Sequence, residues 1–150
     1  MSPSLLLKIG AGILLLYATG HTLGAVIFYR PHSPEETAII DSMKSYHVPL
    51  RTGSARTLWD FYYGFGLAVG LLNYALVAIA WVVAQQAARN VAGAGTLALI
   101  LALVCLAQTY LSWRYFFLIP LVMSLAAALL FAAAWFSLSS GTGTPPATGP

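Results

Sequence analysis

Polar side chains are scarce in the apolar stretches of this sequence, and they are the groups that could do chemistry. They stand inside or at the edge of those stretches: His21, Thr22, Asp60, Asn73, Gln108, Ser112 and Arg114. Imidazole titrates near neutral pH and a carboxylate can hold its tautomer, so His21 and Asp60 together could transfer a proton. The same groups could instead hold helices together, because polar residues inside a membrane need partners. In that case His21 bonds a neighbouring helix, and Asp60 pairs with Arg56 or, in a forked ion pair, with Arg114.

The composition decides what kind of element must position these residues. Hydrophobic residues make up 59% of the 150 positions and charged residues 7%, whereas soluble domains carry about 25% charged residues. So few charges exclude a water-soluble domain and a disordered chain, and the lack of a basic stripe excludes nucleic acid as a partner. The single cysteine, Cys105, excludes an internal disulfide and a cysteine-based zinc site. The three histidines show no ligand spacing, so we expect no metal and no cofactor.

Four apolar runs are each long enough to cross the hydrocarbon core of a membrane, which takes about 20 helical residues. They cover residues 5–29, 58–84, 95–113 and 115–138, and only Arg114 separates the last two. A cleaved signal peptide is the alternative for the first run, but its apolar part would cover about 7–15 residues. The first run is longer and continues to Phe28, so we expect a retained span. The sequence therefore predicts an all-α fold, a transmembrane four-helix bundle formed by residues 1–138.

The sizeable segment between the first two runs carries a helix-start pattern. Ser33 can cap a helix, Pro34 suits its first position, and Glu36 can close a capping box. We expect a short amphipathic helix over residues 34–46 that lies on the membrane surface, or alternatively a lid over a site. Residues 139–150 (SSGTGTPPATGP) cannot bury apolar surface, so we expect a disordered tail.

The positive charges predict the orientation of the chain. With four spans, Lys8 and Arg89 lie on the side of both termini. Five positive residues belong to the opposite side: Arg30, Lys44, Arg51, Arg56 and Arg114. Because positive residues favour the cytoplasm, the long loop is expected there and both termini outside.

Connectivity gathers most of the buried polarity near the loop side of the membrane. His21 lies about 12 Å from that end of its span, at about 1.5 Å per residue. Asp60 and Tyr63 begin the second run, and Gln108 and Arg114 end the third. These five residues form the predicted polar cluster, which either holds the bundle together or binds a ligand. Membrane lipids are its expected partners.

Two glycine patterns predict close helix packing. Gly20 and Gly24 form a GxxxG in the first run, and Gly66 and Gly70 form another in the second. Small residues let helices approach closely in lipid, where no hydrophobic force drives them together. We expect these glycines to serve helix contacts inside the chain, and a homodimer face is the alternative.

Three strings now stand out in order: GHTLG (Gly20–Gly24), WDFYYGFGL (Trp59–Leu67) and LSWRYFFLIP (Leu111–Pro120). With a loop helix after the first string, they resemble a family of small bacterial four-span integral membrane proteins, over nearly the whole chain except the tail. That family often has a proline directly after the YFF string, whereas here Leu118 and Ile119 precede Pro120. The residues that match the family motifs by position are His21, Asp60, Tyr62 and Arg114. The resemblance implies a fold and a bacterial cytoplasmic membrane location, and it implies no reaction.

We therefore expect a non-enzymatic integral membrane protein whose polar cluster can bind a lipid or a small lipophilic molecule. An intramembrane enzyme that uses His21 and Asp60 for proton transfer on a lipophilic substrate is one alternative. A small oligomeric transporter is another, although the first run lacks the acidic residue that proton coupling would favour.

Overall fold

The structure is a computed structural model, and it describes residues 1–49, 53 and 55–140. It is all-α apart from a two-stranded hairpin. A π-helical stretch, called the π segment, continues helix α1 without a break. In chain order the elements are α1 (Pro3–Thr19), the π segment (Gly20–Ile27), α2 (Pro34–Ser45), β1 (His47–Val48), β2 (Arg56–Thr57), α3 (Leu58–Ala88), α4 (Ala94–Tyr115) and α5 (Leu118–Ser140). The antiparallel strands pair His47 with Thr57 and Val48 with Arg56.

Four of these helical stretches are long and apolar enough to cross a membrane. They are Pro3–Ile27, Leu58–Ala88, Ala94–Tyr115 and Leu118–Ser140. The predicted all-α fold with four long apolar helices is therefore confirmed, and the chain is a multi-pass membrane protein by length and composition. The second stretch ends at Ala88, four residues beyond the predicted end at Ala84, because no residue in Gln85–Ala88 breaks a helix.

The junction between the last two helices does not lie at Arg114, as the sequence suggested. Helix α4 continues through Arg114 to Tyr115, and Phe116 ends it in an extended conformation. Arginine is a good helix former, so its charge alone does not interrupt the helix. Pro120 is the third residue of α5, where the backbone N–H has no partner within the helix, so the ring is tolerated there. The proline therefore marks the junction better than the charge does.

Two smaller expectations concern the ends of elements. Helix α2 begins after Ser33, whose hydroxyl accepts the Glu36 N–H at 3.2 Å, as the capping pattern indicated. The Glu36 carboxylate, however, accepts the N–H of His32 rather than that of Ser33. The predicted disordered tail began at Ser139, but α5 includes Ser139 and Ser140. The rest of that prediction, residues 141–150, lies outside the described residues.

The chain divides into two compact units. The first, called the core region, comprises residues 1–17 and 73–140 of the described chain. Its apolar centre is built from α1, the second half of α3, α4 and α5, and most of its buried side chains are alanines. Gly10 lies against the ring of Phe131, which is fully buried. Small side chains thus let helix backbones approach closely around one large ring.

The second unit, called the loop region, comprises residues 18–72. Among its described residues only Ala18 and Gly70 are buried. The π segment lies in this unit and ends with the Phe28 N–H donating to the Leu23 carbonyl at 2.8 Å, five residues back. A π-helix turns less per residue than an α-helix. The rise of about 1.5 Å per residue that placed His21 about 12 Å from the end of its span is that of an α-helix, so it does not apply beyond Thr19.

Candidate functional site

A reciprocal pair of hydrogen bonds sets the start of α3. The Asp60 carboxylate accepts the Thr57 N–H at 2.8 Å, and the Thr57 hydroxyl accepts the Asp60 N–H at 3.1 Å. This is a capping box, and the Thr-x-x-Asp spacing before an apolar run is a signal that the sequence analysis missed. The carboxylate is therefore held in a fixed orientation by its own helix rather than by the ion pair that was expected with Arg56.

A cavity opens beside this helix start. It has a volume of about 370 Å³ and is lined by Arg56, Trp59, Asp60, Phe61, Tyr63 and Gly64. Two residues of the predicted cluster, Asp60 and Tyr63, therefore face the same space. Arg56, Trp59 and Gly64 are functional candidates that the sequence reasoning did not assign to a site. The space is an open surface depression along one stretch of the chain, residues 56–64, and its volume lies within the range of about 300–1,000 Å³ of ligand pockets.

The aromatic residue Trp59 of the lining contacts further rings and a second cation. The Trp59 ring stacks on that of Tyr63 with 6.4 Å between centroids, and Tyr62 lies 5.5 Å from Trp59 on the same helix. The Lys44 ammonium lies 5.4 Å from the centre of the Trp59 ring. Such rings attract cations through their electron-rich faces, and tryptophan and tyrosine concentrate at the membrane–water interface.

Helix α3 is longer than the hydrocarbon core of a membrane is thick. Its 31 residues extend about 46 Å, whereas the hydrocarbon core is about 30 Å thick. Gln85 and Gln86 mark the polar end of the helix, and about 20 residues counted back from Ala84 reach Phe65. For a span of that length upright in the bilayer, Trp59 to Gly64 would stand outside the hydrocarbon core, at the depth of lipid headgroups.

The predicted helix-packing glycines divide into two pairs. Gly66 and Gly70 of α3 pack against the π segment. A Cβ at Gly66 would meet Val26 at 2.9 Å, and one at Gly70 would meet the Thr22 hydroxyl. Gly20 and Gly24 have open space where a Cβ would stand, so they make no such contact within the described chain. The second GxxxG thus serves packing inside the loop region. The homodimer alternative stays a prediction for the first.

His21 joins the same contact between the π segment and α3. Its Nε2 lies 2.9 Å from the Gly66 carbonyl oxygen. Because a carbonyl only accepts, Nε2 carries the proton and donates. Gly66 lies six residues, about 9 Å of helix, beyond Asp60. His21 therefore holds the π segment on α3, while Asp60 caps the helix, and proton transfer between the two stays a prediction.

Gln108 belongs to a polar contact inside the core region. Its amide Nε2 donates to the Asn73 carbonyl oxygen at 3.1 Å, which ties α4 to α3, and Tyr17 of α1 also bonds the Gln108 side chain. Asn73 is 2% exposed. The sequence analysis named both amides as buried polar residues but did not pair them. Helical phase within one span cannot show which partner faces it on the next.

The fifth residue of the predicted cluster, Arg114, lies in the last turn of α4. Its guanidinium is 5.3 Å from the centre of the Tyr115 ring. A cation near a helix C-terminus also interacts favourably with the helix dipole. In the part of the chain that the structure describes, the one ion pair joins His32 and Glu36 at 3.4 Å. In the same part, no three His, Cys, Asp or Glu side chains come close enough together to hold a metal ion.

No protein-family model, no curated protein and no solved structure matches the chain. The resemblance carried by the strings at Gly20, Trp59 and Leu111 therefore stays a prediction. What the protein does must follow from the geometry of the cavity and its depth.

Proposed function

We propose that this protein is a non-enzymatic integral membrane protein that holds an amphiphilic lipid in the cavity at the start of α3. The observation that carries the proposal is the cavity of about 370 Å³ at the first turns of a long apolar helix. Its lining combines a cation, an anion and aromatic rings. A lipid headgroup is the ligand that is always present where a spanning helix enters the membrane, and its acyl chains would continue along the apolar, exposed surface of α3.

The exposed side of α3 supports the placement of the chains. Phe65, Leu71 and Leu72 are between 64% and 70% exposed, so this helix presents a continuous apolar surface beyond the cavity. A lipid seated in the cavity would cover part of that surface without a change of depth. Binding of this kind needs no residue within the hydrocarbon core to be polar.

Gly64 offers a direct test, because it lines the cavity and a Cβ at this position meets no atom within 4 Å. Gly64→Leu should fill the cavity without disturbing the helix. We expect native mass spectrometry of the purified wild-type protein to show one retained phospholipid, and retention by Gly64→Leu to fall about tenfold, which corresponds to about 1.4 kcal/mol.

Gly12→Leu is the matched control, because Gly12 also has open space for a Cβ but lies in α1, within the core region. It should retain lipid as the wild type does. Equal retention by Gly64→Leu and wild type, at equal melting temperature, would contradict the proposal. If Gly64→Leu melts early, Tyr63→Ala replaces it as the cavity variant, with the same expected loss.

The proposed location is the bacterial cytoplasmic membrane, with the loop of α2 in the cytoplasm. Cys105 is the single cysteine, so Cys105→Ser gives a background for placing new cysteines. In that background we expect Ser2→Cys to react with a membrane-impermeant maleimide on intact bacterial cells. Ser42→Cys in α2 should react only after permeabilisation. The opposite labelling pattern would reverse the orientation.

A further inference from the structure

We propose that the cavity selects a zwitterionic aminophospholipid, with its phosphate at Arg56 and its primary ammonium at Asp60. This inference rests on the proposed function, since it names the class of lipid that the same cavity would take. The juxtaposition of one cation and one anion, four residues apart in the lining, is the observation behind it.

The two charges are available to a ligand. In the described chain only His32 and Glu36 form an ion pair, so Arg56 and Asp60 do not neutralise each other through a direct contact. Both nevertheless line the cavity. An arginine fork matches the geometry of a phosphate group, with paired N–H donors facing paired oxygens. Arg56 lies in β2 and Asp60 in the first turn of α3, so two consecutive elements bring the opposite charges to the same space.

The Asp60 carboxylate is oriented for a second donor. Its Oδ2 accepts the Thr57 N–H at 2.8 Å, and Asp60 is exposed, so the carboxylate has room to accept a further donor from a ligand. A primary ammonium carries donors that can reach such an oxygen, whereas a quaternary choline ammonium has none. The capping box therefore holds a carboxylate that distinguishes ethanolamine from choline by hydrogen bonding.

The aromatic lining attracts a ligand ammonium whether it is primary or quaternary, so the preference for ethanolamine rests on the Asp60 carboxylate. The Trp59 ring already binds a primary ammonium from the chain itself, that of Lys44 at 5.4 Å from its centre. Tyr63 offers a second ring beside it within the cavity lining. Within the lining Arg56 and Asp60 carry opposite charges, which match a zwitterionic headgroup, while Lys44 lies on the Trp59 ring outside the lining. An anionic phosphatidylglycerol headgroup would place no cation opposite Asp60.

The experiment measures lipid binding to the full-length protein in nanodiscs doped with phosphatidylethanolamine, phosphatidylcholine or phosphatidylglycerol. We expect the wild type to retain phosphatidylethanolamine about tenfold more than either other lipid, as one added charge-assisted hydrogen bond would give. Asp60→Asn should abolish this preference, because an amide oxygen can still cap Thr57 but carries no charge. Arg56→Gln should weaken all three phospholipids alike.

Asp41→Asn is the matched control, because it removes an acidic residue from α2 that does not line the cavity. It should leave the lipid preference unchanged. Retention of phosphatidylglycerol equal to phosphatidylethanolamine, or a preference that survives Asp60→Asn, would overturn this inference while the loss in Gly64→Leu still supported lipid binding. No difference between wild type and Gly64→Leu for any lipid would overturn both.

Competition with a soluble headgroup distinguishes two sources of the same chemistry, a membrane lipid and a free phosphoamine. Glycerophosphoethanolamine carries the same phosphate and ammonium without acyl chains. We expect an excess of it to displace the bound phospholipid only weakly, because it lacks the chains that cover the apolar surface of α3. Displacement at equal concentrations would overturn the assignment to a lipid.

Discussion

The core region and the loop region hold their helices together by different means. In the core region, alanines and one glycine surround the buried ring of Phe131, and side chains from four helices close the centre. In the loop region, Ala18 and Gly70 are the buried residues among those described, and hydrogen bonds at His21, Thr57 and Ser33 fix the elements. Functional elements are generally drawn from the less stable parts of a protein. The cavity accordingly lies in the unit with little buried surface, where side chains remain available to a ligand.

The largest expected effect tests the packing of the core region. Gly10→Ala would place a Cβ 2.5 Å from the Phe131 ring, which is fully buried and cannot swing away. We expect a loss of about 2–3 kcal/mol of unfolding free energy, as for other overpacked cores. Unfolding of the purified protein in mixed micelles measures it. Phe131→Leu in the same chain should restore part of the loss.

Gly12→Ala is the control for that substitution. It lies two residues away on the same helix, and a Cβ there meets nothing within 4 Å. Alanine has the higher helix propensity, so this variant should be as stable as the wild type or slightly more stable. No loss in Gly10→Ala would show that the ring of Phe131 can move aside, and equal losses in both variants would show that the loss does not come from this contact.

The loop-region counterpart is Gly70→Ala, which would place a Cβ against the Thr22 hydroxyl. That hydroxyl is buried and makes no hydrogen bond within the described chain. It packs directly against the backbone of Gly70, where a side chain would leave it no room. We expect a smaller loss, about 1 kcal/mol, because the π segment is little buried and can shift.

Thr22→Ala should suppress the loss in Gly70→Ala, because the atom that remains nearest, the Cβ of residue 22, lies 3.5 Å away at ordinary contact distance. Gly20→Ala is the control, with open space at its Cβ. A loss in Gly70→Ala as large as that in Gly10→Ala would remove the contrast between the two regions.

A third prediction concerns the amide contact inside the core region. A double-mutant cycle of Asn73→Ala and Gln108→Ala should give a coupling energy of about 0.6 kcal/mol, the average for hydrogen bonds between membrane helices. A cycle between Gln108→Ala and Ser137→Ala should give none, because the Ser137 hydroxyl bonds the Ala133 carbonyl of its own helix. A coupling near zero for Asn73 and Gln108 would mean that alanine packing alone holds the core region.

The smallest effect is a pH dependence in the loop region. Hydrogen bonds from its own backbone N–H and from the Ser33 hydroxyl hold the pKa of Glu35 below its usual value. The stabilisation of α2 is therefore present above the usual carboxyl pKa and is lost as the pH falls through the lowered folded pKa. Ser33→Ala should raise the pKa of Glu35 in an NMR titration. Ser45→Ala, at the other end of α2, should not, because its hydroxyl bonds the Ser42 carbonyl.

Much of the architecture could be predicted from the sequence, because each span carries its own signal. Length and hydropathy alone indicate four spans, and the Ser33–Pro34 pattern alone indicates where α2 begins. The π segment could not be predicted in this way, since the sequence GHTLGAVI fits an α-helix as well. The predicted junction at Arg114 is wrong, because a charged residue does not by itself end a helix, whereas Pro120 indicates the first turn of the next helix.

The candidate site was predictable only in part. Asp60 and Tyr63 were named, and both line the cavity, whereas Arg56 was expected to neutralise Asp60 and Gly64 was not considered at all. The Thr57–Asp60 capping box was readable from its spacing, and it would have removed Asp60 from the expected ion pair with Arg56. Gln108 and His21 were placed in one cluster, but the structure bonds one to Asn73 and the other to Gly66.

The sequence by itself determined that the chain crosses a membrane as four helices, because each span must satisfy its own backbone hydrogen bonds in lipid. Each span can therefore be recognised from its own length and apolar composition. Helix caps are likewise local, since their partners lie three or four residues away. Only the tertiary structure decided which glycine meets which side chain, that Asn73 faces Gln108, and that Arg56 and Asp60 share a cavity without pairing. Those facts depend on the rotation and depth of one helix against another, which small residues permit in many arrangements and which no single span encodes.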